Sequence, residues 1–157
     1  MTDRGSGTVH VVLVALLLLA HFTFRPLLRD LPVAPDLLVG GLLLATLRLS
    51  AGHAALLGFT LGLLDSAIGM EGVGALSIVY SLLGFLAARS RDLLYADAAR
   101  FPYTYIFIGT WVAQVGTALA LQVVPGVSFL LVAVGTAILT AVVCGLVAAT
   151  LDRVWAE

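Results

Sequence analysis

The 157 residues include no lysine, no asparagine and a single cysteine, Cys144. Without lysine there is no Walker-type phosphate loop and no Schiff-base chemistry, since both need that amine. One cysteine cannot close an internal disulfide. With three scattered histidines it does not make the roughly four-ligand set of a structural zinc site. Charge is scarce as well: 8 basic residues, all of them arginine, and 9 acidic ones make up 11% of the chain and leave a net charge of -1. A nucleic-acid reader needs a basic face to offset phosphate, so that class is excluded. The excess is apolar, with 61% hydrophobic residues and a mean hydropathy of +1.12. A soluble domain is about half apolar and about a quarter charged. The surplus must face something other than water, which points to lipid and away from a soluble enzyme domain.

A membrane-spanning helix needs about 20 apolar residues, within a range of roughly 17 to 25. Six stretches are expected to cross, over residues 8–24, 33–49, 51–69, 73–88, 103–124 and 128–151, so that residues 1–157 form a single transmembrane domain. The first resembles a signal-peptide core, but Ala20-His21-Phe22-Thr23-Phe24-Arg25 holds no small-x-small cleavage site, and the segment is read as an uncleaved span. Residues 25–36 carry Pro26, Pro32 and Pro35 among two Arg and two Asp, which reads as a loop. The second span is short; it crosses only if residues 33–36 join it or Arg48 snorkels to the interface. Spans three and four are joined by Met70-Glu71-Gly72 as a tight hairpin, residues 89–100 form the largest polar loop, and Pro125-Gly126 ends span five. The expected fold is all-α, a polytopic integral membrane protein built as a six-helix transmembrane bundle.

Arginine excess marks the cytoplasmic side of short loops. With the N-terminus inside, Arg4, Arg48, Arg89, Arg91, Arg100 and Arg153 lie in the cytoplasm and only Arg25 and Arg29 outside, so both termini are expected there. Tyr103, Tyr105 and Trp111 suit an inner interfacial belt, and Trp155 the end of the last helix.

Lipid is as apolar as leucine, so membrane helices associate through small residues that admit close backbone approach. Ala51, Ala55, Gly58, Gly62, Asp65 and Gly69 recur every three or four residues along the third helix, and Gly74, Ser77, Ser81, Gly84 and Ala88 along the fourth. With so short a turn between the helices, the two seams are expected to meet or to share a neighbour. Thr110, Gln114, Ala118 and Gln122 form a stripe on the fifth helix, and Thr136, Thr140, Cys144 and Ala148 one on the sixth.

Few residues can carry chemistry. Asp65 lies on the seam of the third helix; a carboxylate costs roughly 2.5–3.5 kcal/mol at a central membrane position, and this one stands near the helix's outer end. The expectation is that it orders the hairpin by accepting from backbone N–H groups near Gly69 to Gly74, or docks a partner; a proton or cation relay is the alternative. The glycine-rich Gly69–Gly74 run lacks the strand a phosphate cradle needs, and reads as a turn requiring positive φ, with Glu71 solvated. His10 and His21 lie about 16 Å apart along one helix and cannot share a metal, while His53 is expected at the interface. Ser66, Ser77 and Ser81 have no histidine partner at a matching depth, so an intramembrane serine protease is not expected. Gln114 and Gln122 either bond across to the sixth helix or line a ligand cavity. Arg25 and Arg29 can pair with Asp30 and Asp36, or meet headgroups or a partner. No catalytic residue, cofactor or metal is expected.

Several elements together resemble the bacterial rod shape-determining MreD family. They are Pro35-Asp36-Leu37-Leu38, Gly58-Phe59-Thr60-Leu61-Gly62-Leu63-Leu64-Asp65, then Gly69, Gly72, Gly74 and Leu82-Leu83-Gly84-Phe85-Leu86. The resemblance covers about residues 35 to 88, with similar length and span count outside them. It implies a non-enzymatic subunit of the cell-elongation complex in the bacterial inner membrane, helping to maintain cell shape. The implied partners are MreC and, through it, the peptidoglycan polymerase RodA with its transpeptidase partner, and indirectly the MreB filament. Carried onto this chain, Pro35, Asp36, Gly58, Gly62, Asp65 and Gly74 are the motif positions, expected to be structural or partner-facing. In helix arrangement the family is also similar to substrate-binding subunits of energy-coupling-factor vitamin transporters. The alternative function is such a subunit, with an outer cavity lined by Asp65, Glu71, Gln114 or Gln122. Many of those subunits use an Ala-xxx-Ala pair in their first helix; here Ala15 and Ala20 stand five apart, which favours the scaffold.

Overall fold

The computed structural model describes residues 3–28, 31, 33–69, 72, 74–94 and 101–156, with side chains over 11–24, 27, 31, 33–69, 72, 74–90 and 103–149. Its described residues form six α-helices and no strand: α1 (Asp3–Leu28), α2 (Leu37–Thr46), α3 (Ala51–Gly69), α4 (Ala75–Leu94), α5 (Phe101–Ala120) and α6 (Val127–Ala156). The all-helical fold is as expected, whereas the helix lengths are uneven. Two stretches, Ala51–Gly69 and Val127–Ala149, are long and apolar enough to cross a membrane; Val11–Phe24, Leu37–Thr46 and Ala75–Ser90 are shorter apolar helices.

The short helix α2 is the centre of the molecule. Asp36 starts it: its carboxylate accepts from the Val39 N–H at 3.1 Å, and its carbonyl accepts the Gly40 N–H at 3.0 Å. That is the side-chain cap that satisfies an otherwise orphaned first-turn donor. All ten residues of α2 are buried, and each of the other five helices touches it. A helix that is apolar all round belongs in an interior. At about 15 Å it is about half as long as a ~30 Å hydrocarbon layer is thick, and within the stretch 33–49, where a crossing is expected, the structure has this ten-residue buried helix.

Around α2 stand two hairpins. In α3–α4, Gly58 and Gly62 lie against the α4 backbone at Tyr80 and at Leu76–Ser77, and Gly84 lies against the Ala54 carbonyl on α3. A Cβ at any of the three would run into backbone. The turn between them uses Gly72 at φ +57° and Gly74 at φ +94°. Gly74 therefore belongs to the turn and not to the α4 seam, and Gly69, half-buried, ends α3. On α3 the buried line passes through Ala54 and Ser66 as well as Gly58, Gly62 and Asp65, while Ala51 and Ala55 are only half-buried.

The α5–α6 hairpin turns earlier than expected. α5 stops at Ala120 because the chain enters a Schellman arrangement: Val123 N–H donates to the Ala118 carbonyl (2.9 Å) and Gln122 N–H to that of Leu119 (3.0 Å), with Gln122 at φ +58°. Gln122 is exposed outside the helix and does not share a face with half-buried Gln114.

The packing is inverted relative to a water-soluble bundle. On α6 the buried side is Ala133, Thr136, Ala137, Thr140, Ala141, Cys144, Gly145 and Ala148, and the exposed side is Leu131, Val134, Ile138, Leu139, Val142, Val143 and Leu146. α3 repeats the pattern, with Leu56, Phe59, Leu63, Leu64 and Ile68 outward. Apolar surface of this extent is compatible with a membrane location, where small residues bring helices together and branched ones meet lipid.

Candidate functional site

Three elements bring ionisable side chains to one place near the start of α2. α1 supplies His21, the loop entering α2 supplies Asp36, and the last turns of α3 supply Asp65. His21 Nε2 stands 3.9 Å from Asp65 Oδ1, with the side chains 16% and 11% exposed. That separation is too long for a hydrogen bond and close enough for an ion pair once the imidazole is protonated. Nε2 is buried and makes no hydrogen bond, and the ring is met edge-on by Phe22 at 5.4 Å between centroids. The Asp36 carboxylate lies within Coulombic range of both His21 and Asp65.

α6 holds the other side of this site. The Asp36 N–H donates to Thr140 Oγ1 at 2.8 Å, and Thr140 Oγ1 donates to the Thr136 carbonyl at 2.8 Å. One turn on, Cys144 packs against Gly40, where a Cβ would collide with its Sγ, and Asp36 is within its Coulombic range. So the absence of a side chain at Gly40 lets α2 settle against α6 and sets the depth of Asp36. Pro35 precedes the cap and is half-buried.

The other end of α2 is closed by a neutral bond. Thr46 Oγ1 donates to the Leu43 carbonyl (2.6 Å) and lies 2.6 Å from the Tyr105 hydroxyl, which is therefore the donor in that pair. Tyr105 faces the core here and not an interfacial belt, while Trp111 is exposed.

Among the described residues no group of three or more His, Cys, Asp or Glu can hold a metal ion. Ser66 Oγ donates to the Gly62 carbonyl, and Ser77 Oγ is buried without a hydrogen-bond partner. Ser50 Oγ lies 2.7 Å from His53 Nδ1, but both residues are exposed at the start of α3, where the Ser50 carbonyl accepts the Ala54 N–H. That pair organises a helix start.

The sequence flagged Asp36 and Asp65 separately. It did not bring them together, nor did it pair either with His21. Asp65 faces His21 across the bundle, not only the turn that follows it. Heptad-like spacing reports on one helix at a time, and this convergence involves three. A groove of about 370 Å³ on the outer side of α3–α4 is lined by Ala55, Phe59, Ile78, Ser81, Leu82 and Phe85, and contains none of Asp65, Gln114 or Gln122. Glu71 and the side chains of His10, Arg4, Arg25, Arg29, Asp30, Arg91, Arg100, Arg153 and Trp155 lie outside the described residues. Compared with family models, with curated proteins and with solved structures, the chain matches none.

Proposed function

We propose that this chain is a multi-pass protein of the bacterial inner membrane, with both termini cytoplasmic, that serves as a non-enzymatic scaffold of the MreD type. In this role it binds an MreC-like single-span protein and, with it, helps organise a RodA-type polymerase and its transpeptidase partner for wall elongation, with MreB engaged indirectly. The observation that carries the membrane part is the inverted packing: small residues inward and Leu, Ile, Val and Phe outward on the long helices. The scaffold part is supported by the motif residues. Pro35-Asp36 enters and caps the core helix, and Gly58, Gly62 and Gly84 hold the α3–α4 hairpin closed. Those positions organise helices.

The test is gentle extraction from native membranes followed by mass spectrometry of the co-purifying proteins. The expected result is an MreC-like single-span protein together with a wall polymerase. Recovery with an ATPase pair, or with a bound vitamin-sized molecule, overturns the scaffold in favour of a transporter subunit. Topology is checked separately by single cysteines replacing Arg91 or Arg100: labelling by an impermeant reagent in intact cells overturns the cytoplasmic assignment of that loop.

A further inference from the structure

α1 leans on α2 and, over a short stretch, on α6; its described backbone does not approach that of α3 or α4. Its outward side carries Val11, Val12, Leu16 and Leu19, so the helix is fastened along one side only. Across the gap to α3 runs the His21–Asp65 contact at 3.9 Å, with Asp36, the cap that precedes α2, within Coulombic range of both. We propose that His21 and Asp65 act as a proton-operated clasp that fastens α1 to the α3–α4 hairpin.

The direction follows from charge. With a proton on the imidazole, a cation faces the Asp65 carboxylate at 3.9 Å, and attraction in a site shielded from water draws His21 onto Asp65. Without it, the pair has no opposite charges to attract, and the tie from α1 is lost. A fall in pH closes the clasp and a rise opens it. The groups facing the site from the packed elements are His21 on α1, Asp36 before α2, Asp65 on α3, and Thr140 and Cys144 on α6; among the described residues the charges that reach Asp36 are His21 and Asp65. The clasp does not depend on which complex the chain joins.

The experiment uses the full chain in lipid nanodiscs with spin labels at Leu19→Cys on α1 and Leu64→Cys on α3, both exposed positions. A control without added cysteines checks that buried Cys144 stays unlabelled. Distance distributions by pulsed electron resonance are compared from pH 5 to pH 9. The expected result is one short distance at low pH and a growing longer component as pH rises. His21→Gln and Asp65→Asn should remove the pH response. Asp36→Asn keeps a capping oxygen and leaves the His21–Asp65 pair in place, so the pH response should persist in it. An unchanged distribution in the native chain between pH 5 and 9, or a response that survives His21→Gln, overturns the proposal.

Discussion

At the residue scale, two backbone positions make opposite predictions. Gln122 holds φ +58°, a left-handed conformation that costs a non-glycine residue roughly 1–2 kcal/mol. Gln122→Gly should therefore stabilise the protein, by about 0.5–1 kcal/mol once the greater freedom of glycine in the unfolded chain is subtracted. Gly74 sits at φ +94° with open space where a Cβ would go. Gly74→Ala should destabilise by about 1 kcal/mol through the backbone alone. Thermal unfolding in detergent reads both, and a fall in stability for Gln122→Gly would contradict the cap geometry. The Thr46–Tyr105 bond gives a second residue-level prediction. Both side chains are buried, so Thr46→Val or Tyr105→Phe leaves a polar partner stranded and should cost about 1–3 kcal/mol. In a double-mutant cycle the double variant should lose less than the sum of the two.

At the element scale, the α3–α4 hairpin is held by backbone contact that only glycine permits. Gly58→Leu, Gly62→Leu or Gly84→Leu should force the helices apart, at or beyond the roughly 1–3 kcal/mol typical of overpacking. A Cβ at Gly52 would meet open space, so Gly52→Leu should stay within about 0.5 kcal/mol of the parent. Equal losses for the two classes, measured by folding yield and proteolytic stability, would sink the close-approach argument. Much of this hairpin was legible beforehand, because small residues every three or four positions are a local pattern. The register within it was not: Ala54, whose carbonyl lies against Gly84, is buried where Ala51 and Ala55 are only half-buried. α2 was the least legible element. Its apolar run resembles a weak span, and only burial by all its neighbours shows that it ends where the core ends.

At the scale of the whole molecule, the outward aliphatic surface makes a prediction that separates lipid from water. Ile138 is 49% exposed at mid-α6. In a soluble protein, Ile138→Arg would be nearly neutral. Facing hydrocarbon it should cost roughly 2.5–3.5 kcal/mol of insertion energy, seen as lost membrane-integrated protein in fractionated cells. Unchanged membrane yield, or a gain in soluble protein, would argue against lipid on that face.

What the sequence determined by itself is composition and local periodicity. Too few charges and too many apolar residues are compatible with a membrane location, glycine and serine spacing marks the sides along which helices meet, and Asp36 after Pro35 starts a helix. Those are properties of single segments, readable because helix geometry repeats every 3.6 residues. The tertiary structure alone decided that α2 is a buried half-length core and that α5 ends in a left-handed turn at Gln122. It alone brought His21, Asp36 and Asp65 to one site. These depend on the depth at which separate helices pack, which is set by contacts between residues far apart in the chain, such as Asp36 with Thr140 and Gly40 with Cys144.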